Sequence, residues 1–148
     1  MSHAPDCLFC RIVAGDVRSH VVYQDETLLA ILDNCPIRPG HTLIVPKTHI
    51  PYFDDAPPEV ATAIVLLGQK LAVALKQLYN VERVSFVCTG GDFSHLHAHV
   101  VPMHEKADIT SRRYIVDDNI TFRDLPPMAN EELAKTALDV AKAMKSVT

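Results

Sequence analysis

The stretch His95-Leu96-His97-Ala98-His99-Val100-Val101-Pro102 places histidines at alternate positions in an apolar run. A β-strand turns successive side chains to opposite faces. Read as a strand, the run puts His95, His97 and His99 on one side and Leu96, Ala98 and Val100 on the other. The second set packs a core; the first presents a row of imidazoles. Imidazole titrates near neutrality, so it serves as nucleophile, acid, base or metal ligand. With 8 His in 148 residues, composition alone produces this spacing about 0.02 times per chain of such length, which argues against chance. The plain alternative is a polar or metal-binding strand face.

The neighbouring segments supply a sheet for this strand. Val84 to Cys88 reads as a strand, and Gly90-Gly91-Asp92 as a turn, so the two runs predict an antiparallel hairpin. Upstream, His20–Tyr23, Thr27–Leu32 and His41–Pro46 are further apolar, β-branched runs bounded by turn residues. Asp33-Asn34-Cys35-Pro36-Ile37-Arg38-Pro39-Gly40 is a loop rich in residues that set or free the backbone. Residues 6–14 predict a short helix stopped by Gly15. Between Pro57 and Tyr79, apolar residues recur at Val60, Ile64, Leu67, Leu71, Leu75 and Leu78, the period of a helix, with Asp55 as candidate N-cap. A second amphipathic helix runs over about 130–146, with Leu133, Ala137, Val140 and Met144 on one face. Residues 104–128 carry no clear pattern. The fold class expected is α+β, an antiparallel sheet with helices packed on one side, in a single domain spanning 1–148.

Composition narrows the function classes. The chain is 48% hydrophobic, enough for a sizeable core, and carries a net charge of −4 with no block of like charges. A polyanion binder needs a basic stripe to neutralise phosphates, so a nucleic acid polymer is not an expected partner. The first residues lack the basic-then-apolar pattern of a secretory signal, and the longest unbroken apolar stretch, near Ala63–Leu67, is short for a membrane span. The expectation is a cytoplasmic protein without membrane partners, whose four cysteines are thiols or metal ligands rather than disulfides.

The histidine run resembles the signature of the histidine triad family, His-x-His-x-His followed by apolar residues. Cys7-Leu8-Phe9-Cys10-Arg11-Ile12-Val13-Ala14-Gly15 is similar to that family's opening. Leu32-Asp33 and Pro39-Gly40-His41-Thr42-Leu43-Ile44-Val45-Pro46-Lys47-Thr48-His49 are similar to its second block. The likeness covers about 7–104, leaving 105–148 as a variable extension. It implies a nucleotide hydrolase or transferase that cleaves at the α-phosphate of a nucleoside phosphoramidate or dinucleoside polyphosphate. It also implies a homodimer that pairs its sheets, and no organic cofactor.

Roles by position follow from the same resemblance. His97 is the expected nucleophile, forming a nucleotidyl-histidine that water then cleaves; covalent catalysis splits one difficult step into two. His99 donates to the phosphate oxygens as charge develops there, and His41 sets the tautomers of the triad. Asp33, whose ionised carboxylate only accepts, suits the ribose diol. Asn34 and Asp92 complete the expected nucleotide-binding set, with backbone amides of 90–95 facing the phosphate. Leu8, Phe9, Ile12, Ile31 and Leu32 are candidates for the base slot. Cys7 and Cys10, with His49 and His95, match a Cys₂His₂ set that some bacterial-type members use for structural zinc; a closed tetrahedral set leaves no position for catalysis. Cys35 and Cys88 read as buried inert thiols, and His3, His20 and His104 as surface residues. The segment Cys88-Thr89-Gly90-Gly91-Asp92-Phe93-Ser94 departs from the family pattern: it is shorter, with Gly91 at a usual Gln position and Asp92 at a usual Ser or Thr position.

Overall fold

The computed structural model describes residues 4, 6–91, 93–109, 119 and 125–147. The elements run α1 (Leu8–Ala14), β1 (Val21–Gln24), β2 (Leu28–Leu32), β3 (Thr42–Pro46), a 3-10 turn (Phe53–Asp55), α2 (Pro58–Tyr79), β4 (Arg83–Val87), β5 (Ala98–Met103) and α3 (Asn130–Lys145). The strands form one sheet in the order β1-β2-β3-β5-β4, and every neighbouring pair is antiparallel.

Burial on both sides of the sheet follows from alternation. Leu28, Ala30 and Leu32 of β2, Ile44 of β3 and Ala98 and Val100 of β5 face one layer. There Ile64, Leu67, Leu71, Ala74 and Leu75 of α2 meet Leu133, Ala137, Val140 and Met144 of α3. Leu29, Ile31, Leu43 and Val45 face the other side, under Phe9 of α1. The two long helices therefore share one face, as the periodicity predicts, while the short α1 covers the opposite one. The helical stripe holds except at Leu78, which is exposed. Among the described residues one helix, α2, is long and apolar enough to cross a membrane, with a mean hydropathy of 1.4; its buried stripe lies against the sheet.

Three local readings differ from the sequence. Asp55 lies in the 3-10 turn, and the residue before α2 is Pro57, with no side-chain cap. Proline at the start of a helix tolerates this, because its missing N–H would have been unpartnered anyway. The regular strand begins at Ala98, not His95. Residues 94–97 instead hang on the chain before α2: the Leu96 amide donates to the Ile50 carbonyl at 2.7 Å. The hairpin is real, with Val87 opposite His99, but its connection spans 88–97 and is not a tight turn. Gly15 ends α1 as predicted, at φ +86° with its amide on the Ile12 carbonyl, a conformation glycine adopts without a Cβ penalty.

Candidate functional site

The alternation of the histidine run survives its extended lead-in. Leu96, Ala98 and Val100 point into the helical core, and the three histidines point to the α1 side, where Phe9 packs at 5.6 Å from the His95 ring and 4.9 Å from the His97 ring. His97 and His99 have ring centroids 5.0 Å apart. Both line a cavity of about 530 Å³ with Phe9, Asp33, Cys35, Ile37, Leu43, Val87, Thr89, Gly91, Phe93 and Ile109. A second hollow of about 260 Å³, lined in part by Tyr52, Asp54 and Gly90, shares Thr89 and His97 with it. His97 thus stands between two openings.

Hydrogen-bond partners determine the tautomers. His97 Nδ1 lies 2.7 Å from the His95 carbonyl oxygen. A carbonyl only accepts, so Nδ1 carries the proton and Nε2 keeps its lone pair. His41 Nδ1 accepts from the Ile37 amide at 3.2 Å, so its Nε2–H donates to His99 Nδ1 at 2.9 Å. Neutral His99 then carries its own proton on Nε2. The result is one imidazole, His97, with its lone pair on Nε2 and a neighbour, His99, with its proton on Nε2.

Electrostatics favours the neutral states of His41 and His99. Burial lowers His41 to about 4; Asp33 opposes the shift and His99 adds to it. His99 is also lowered, first by burial and then by His97, against the pull of Asp33. Asp33 Oδ2 stands 3.8 Å from His41 Nε2, while its Oδ1 accepts from the Cys35 amide at 2.8 Å. One carboxylate therefore both forms the turn and lines the cavity.

The expected metal donors also converge. Cys7 Sγ is 3.3 Å from His95 Nδ1, and Cys10 Sγ is 3.4 Å from His49 Nδ1 and 3.6 Å from His95 Nδ1. All four donor atoms lie within 4.8 Å of one another. A tetrahedral Zn²⁺ site has S–N edges of about 3.5 Å from its bond lengths, so the set has the dimensions of such a site. His95 Nε2 donates to the Pro46 carbonyl at 2.9 Å, which leaves Nδ1 to face the sulfurs; metal-ligating histidines characteristically use the second nitrogen this way. Burial pushes the Cys10 thiol up, a penalty that a bound cation reverses.

Some expected residues are placed elsewhere. Asn34 lines a separate hollow with His20, Met128 and Asn130, because the Asp33 turn sends successive side chains apart; its carbonyl accepts from the Met128 amide. Of the proposed base-slot residues only Phe9 lines the cavity. Ile31 is buried under α1, and Leu32 faces the helical core. Cys35 is exposed rather than buried, since the loop turns it outward at the cavity mouth, and Cys88 is half-buried. Asp92 lies outside the described residues. Ile37, Leu43, Val87, Thr89, Phe93 and Ile109 were not anticipated. Only Phe93, an aromatic two residues after the Gly90-Gly91 pair, carried a local signal.

Comparison with known proteins agrees with this geometry. A model of the HIT domain family matches residues 14–106. An uncharacterized HIT-like protein of Methanocaldococcus jannaschii is 37% identical over 103 residues, covering 67% of this chain and 80% of that one. The adenylylsulfatase HINT3 of Arabidopsis thaliana is 30% identical over 106 residues, 68% of this chain and 54% of that protein. The crystal structure of a Zn-bound histidine triad family protein from Mycobacterium smegmatis superposes with a TM-score of 0.73 at 29% identity, covering 95% of this chain and 94% of that one. With the family model spanning all five strands of the sheet and the histidine run leading into one of them, this chain belongs to the histidine triad family.

Proposed function

We propose that the protein is a cytoplasmic nucleotide hydrolase or transferase acting at the α-phosphate of a nucleoside phosphoramidate or dinucleoside polyphosphate, with His97 as nucleophile. The observation that carries this reading is the His97 tautomer: Nδ1 is committed to the His95 carbonyl, so the Nε2 lone pair is available in a cavity that also holds Asp33 and His99. His97 Nε2 forms a bond to the α-phosphorus as the bond to the leaving group breaks. The leaving group departs with that electron pair and is protonated from water. Water then cleaves the N–P bond, restoring neutral His97. His99 donates to the phosphate oxygen, and donors aimed at developing charge contribute strongly in a dry site. Asp33 accepts from the ribose hydroxyls.

Cys7, Cys10, His49 and His95 would hold zinc, which would supply a structural tie between α1 and the histidine run. The small-molecule partner is a nucleotide. The homodimer is proposed to pair sheets at β4, an outer strand of the sheet, beside the exposed Val65, Leu66 and Phe86.

The test is release of nucleoside monophosphate from a panel of phosphoramidates and dinucleoside polyphosphates, with His97→Gly beside wild type. Release by wild type alone supports the enzyme and names its substrate class. Binding of nucleoside monophosphate without release supports a second reading, a nucleotide-binding regulatory module. The motive for that reading is the short 89–94 segment, which brings Gly91 to the cavity where many family members present a polar side chain.

A further inference from the structure

Just beyond residue 106, where the family match ends, the chain returns to the candidate site. Asp108 is the anchor. Its Oδ1 accepts from Arg38 Nε at 2.9 Å and from Arg38 Nη2 at 2.7 Å, and its Oδ2 accepts from the His104 and Glu105 amides at 2.8 and 2.9 Å. Its side chain is only 6% exposed. Burial opposes its charge, but Arg38 and the two amides more than offset this and hold the carboxyl below its usual range. An exposed ion pair contributes little on its own; a shielded carboxylate with both oxygens engaged fixes geometry as well as charge.

Both ends of this pair lead to the cavity. The residue after Asp108 is Ile109, and the residue before Arg38 is Ile37; both line it. The Ile37 amide is the donor on His41 Nδ1, and the Arg38 carbonyl accepts from the His41 amide at 3.0 Å. The backbone around Arg38 therefore grips His41, and His41 orders His99.

We propose that Arg38 and Asp108 form a positioning clamp that holds Ile109 as a substrate-contacting wall of the cavity and keeps the Ile37 amide on the imidazole relay. Ile109 joins Ile37, Leu43 and Phe9 in an apolar surface suited to a planar base. The kinetic part of the inference rests on the nucleotidyl reading above. It makes a residue outside the family's matched region a determinant of substrate affinity, and makes an ion pair remote from phosphorus a determinant of turnover.

The experiment compares wild type with Ile109→Ala and Arg38→Met, using nucleoside monophosphate release and ¹⁵N imidazole NMR. Ile109→Ala is expected to raise KM about tenfold through lost apolar contact, with kcat within about twofold. Arg38→Met is expected to raise KM similarly and to lower kcat by about tenfold or more, since small displacements of positioned groups are costly. In the spectra, His41 should show a single Nε2–H tautomer in wild type and mixed tautomers in Arg38→Met. If Arg38→Met does not fold, Arg38→Lys keeps the charge but loses the two-pronged grip, and should show the same changes in smaller degree. Wild-type KM, kcat and tautomer in a folded Arg38 variant would overturn the clamp, whatever its melting temperature. A wild type without turnover would refute the nucleotidyl reading, while the tautomer comparison would still decide the clamp.

Discussion

The buried His41 makes stability depend on acid in a way that can be measured. In the folded chain it is lowered to about 4 by burial, with Asp33 opposing and His99 reinforcing; in the unfolded chain an ordinary histidine titrates near 6.5. Between these values the unfolded state binds the proton more readily, so stability falls as the pH drops through that window and is complete above it. The full shift corresponds to about 3 kcal/mol, of which about 2 kcal/mol is lost between pH 7 and pH 5. Urea unfolding at the two pH values, on wild type and His41→Gln under identical metal conditions, isolates this contribution. Glutamine keeps a donor for His99 but does not titrate, and any acid loss from the Cys/His cluster is common to both proteins. Wild type should lose about 2 kcal/mol more than the variant over this interval. An equal loss in the two proteins would refute the assignment of a depressed, neutral His41, and with it the direction of the imidazole relay.

Cys10→Ser removes a buried donor from the Cys/His cluster and should reduce bound zinc well below one per chain, read by elemental analysis of protein purified without chelator; unchanged zinc content would count against that cluster. Asp33→Asn keeps an oxygen for the Cys35 amide but weakens acceptance from a diol, so KM for a ribonucleotide substrate should rise by about tenfold or more. The same change should leave a 2′,3′-dideoxy substrate unaffected, and equal effects on both would remove Asp33 from the ribose. Gly40→Ala meets two obstacles, a backbone at φ +90° and the Tyr79 ring where a Cβ would lie. The left-handed conformation alone costs about 1–2 kcal/mol, so the melting temperature should fall by about 4 °C or more, and an unchanged value would refute the crowding.

The sequence-level reading succeeds where the controlling interaction is local or periodic. Leu133, Ala137, Val140 and Met144 form the buried face of α3 because a helix repeats its surface every turn, and all four are buried. The histidine run splits into a core set and a site set because extended backbone alternates, and this holds even where His95 and His97 precede the regular strand. Cys7, Cys10, His49 and His95 were identifiable together through family resemblance, and the fold brings them together. The reading fails where a loop decides which way a side chain faces. Asn34 follows Asp33 directly yet lines another hollow, and Leu32 is one residue from Asp33 but points into the helical core.

The sheet, the helical stripes and the apolar and imidazole faces of the triad run are thus legible along the chain as consequences of backbone periodicity and residue chemistry, while the donor set of the Cys/His cluster is legible only through family resemblance. Which nitrogen of each imidazole is protonated, and which residues wall the cavity, depend instead on tertiary contacts. The His97 lone pair depends on a carbonyl two residues away adopting a particular orientation, and the His41 tautomer depends on an amide presented by a proline-rich loop. Ile109 reaches the cavity beside an aspartate bound to an arginine in that same loop. Such partners are distant or irregular along the chain, and hydrogen bonds between them exist only once the loops have closed around the sheet.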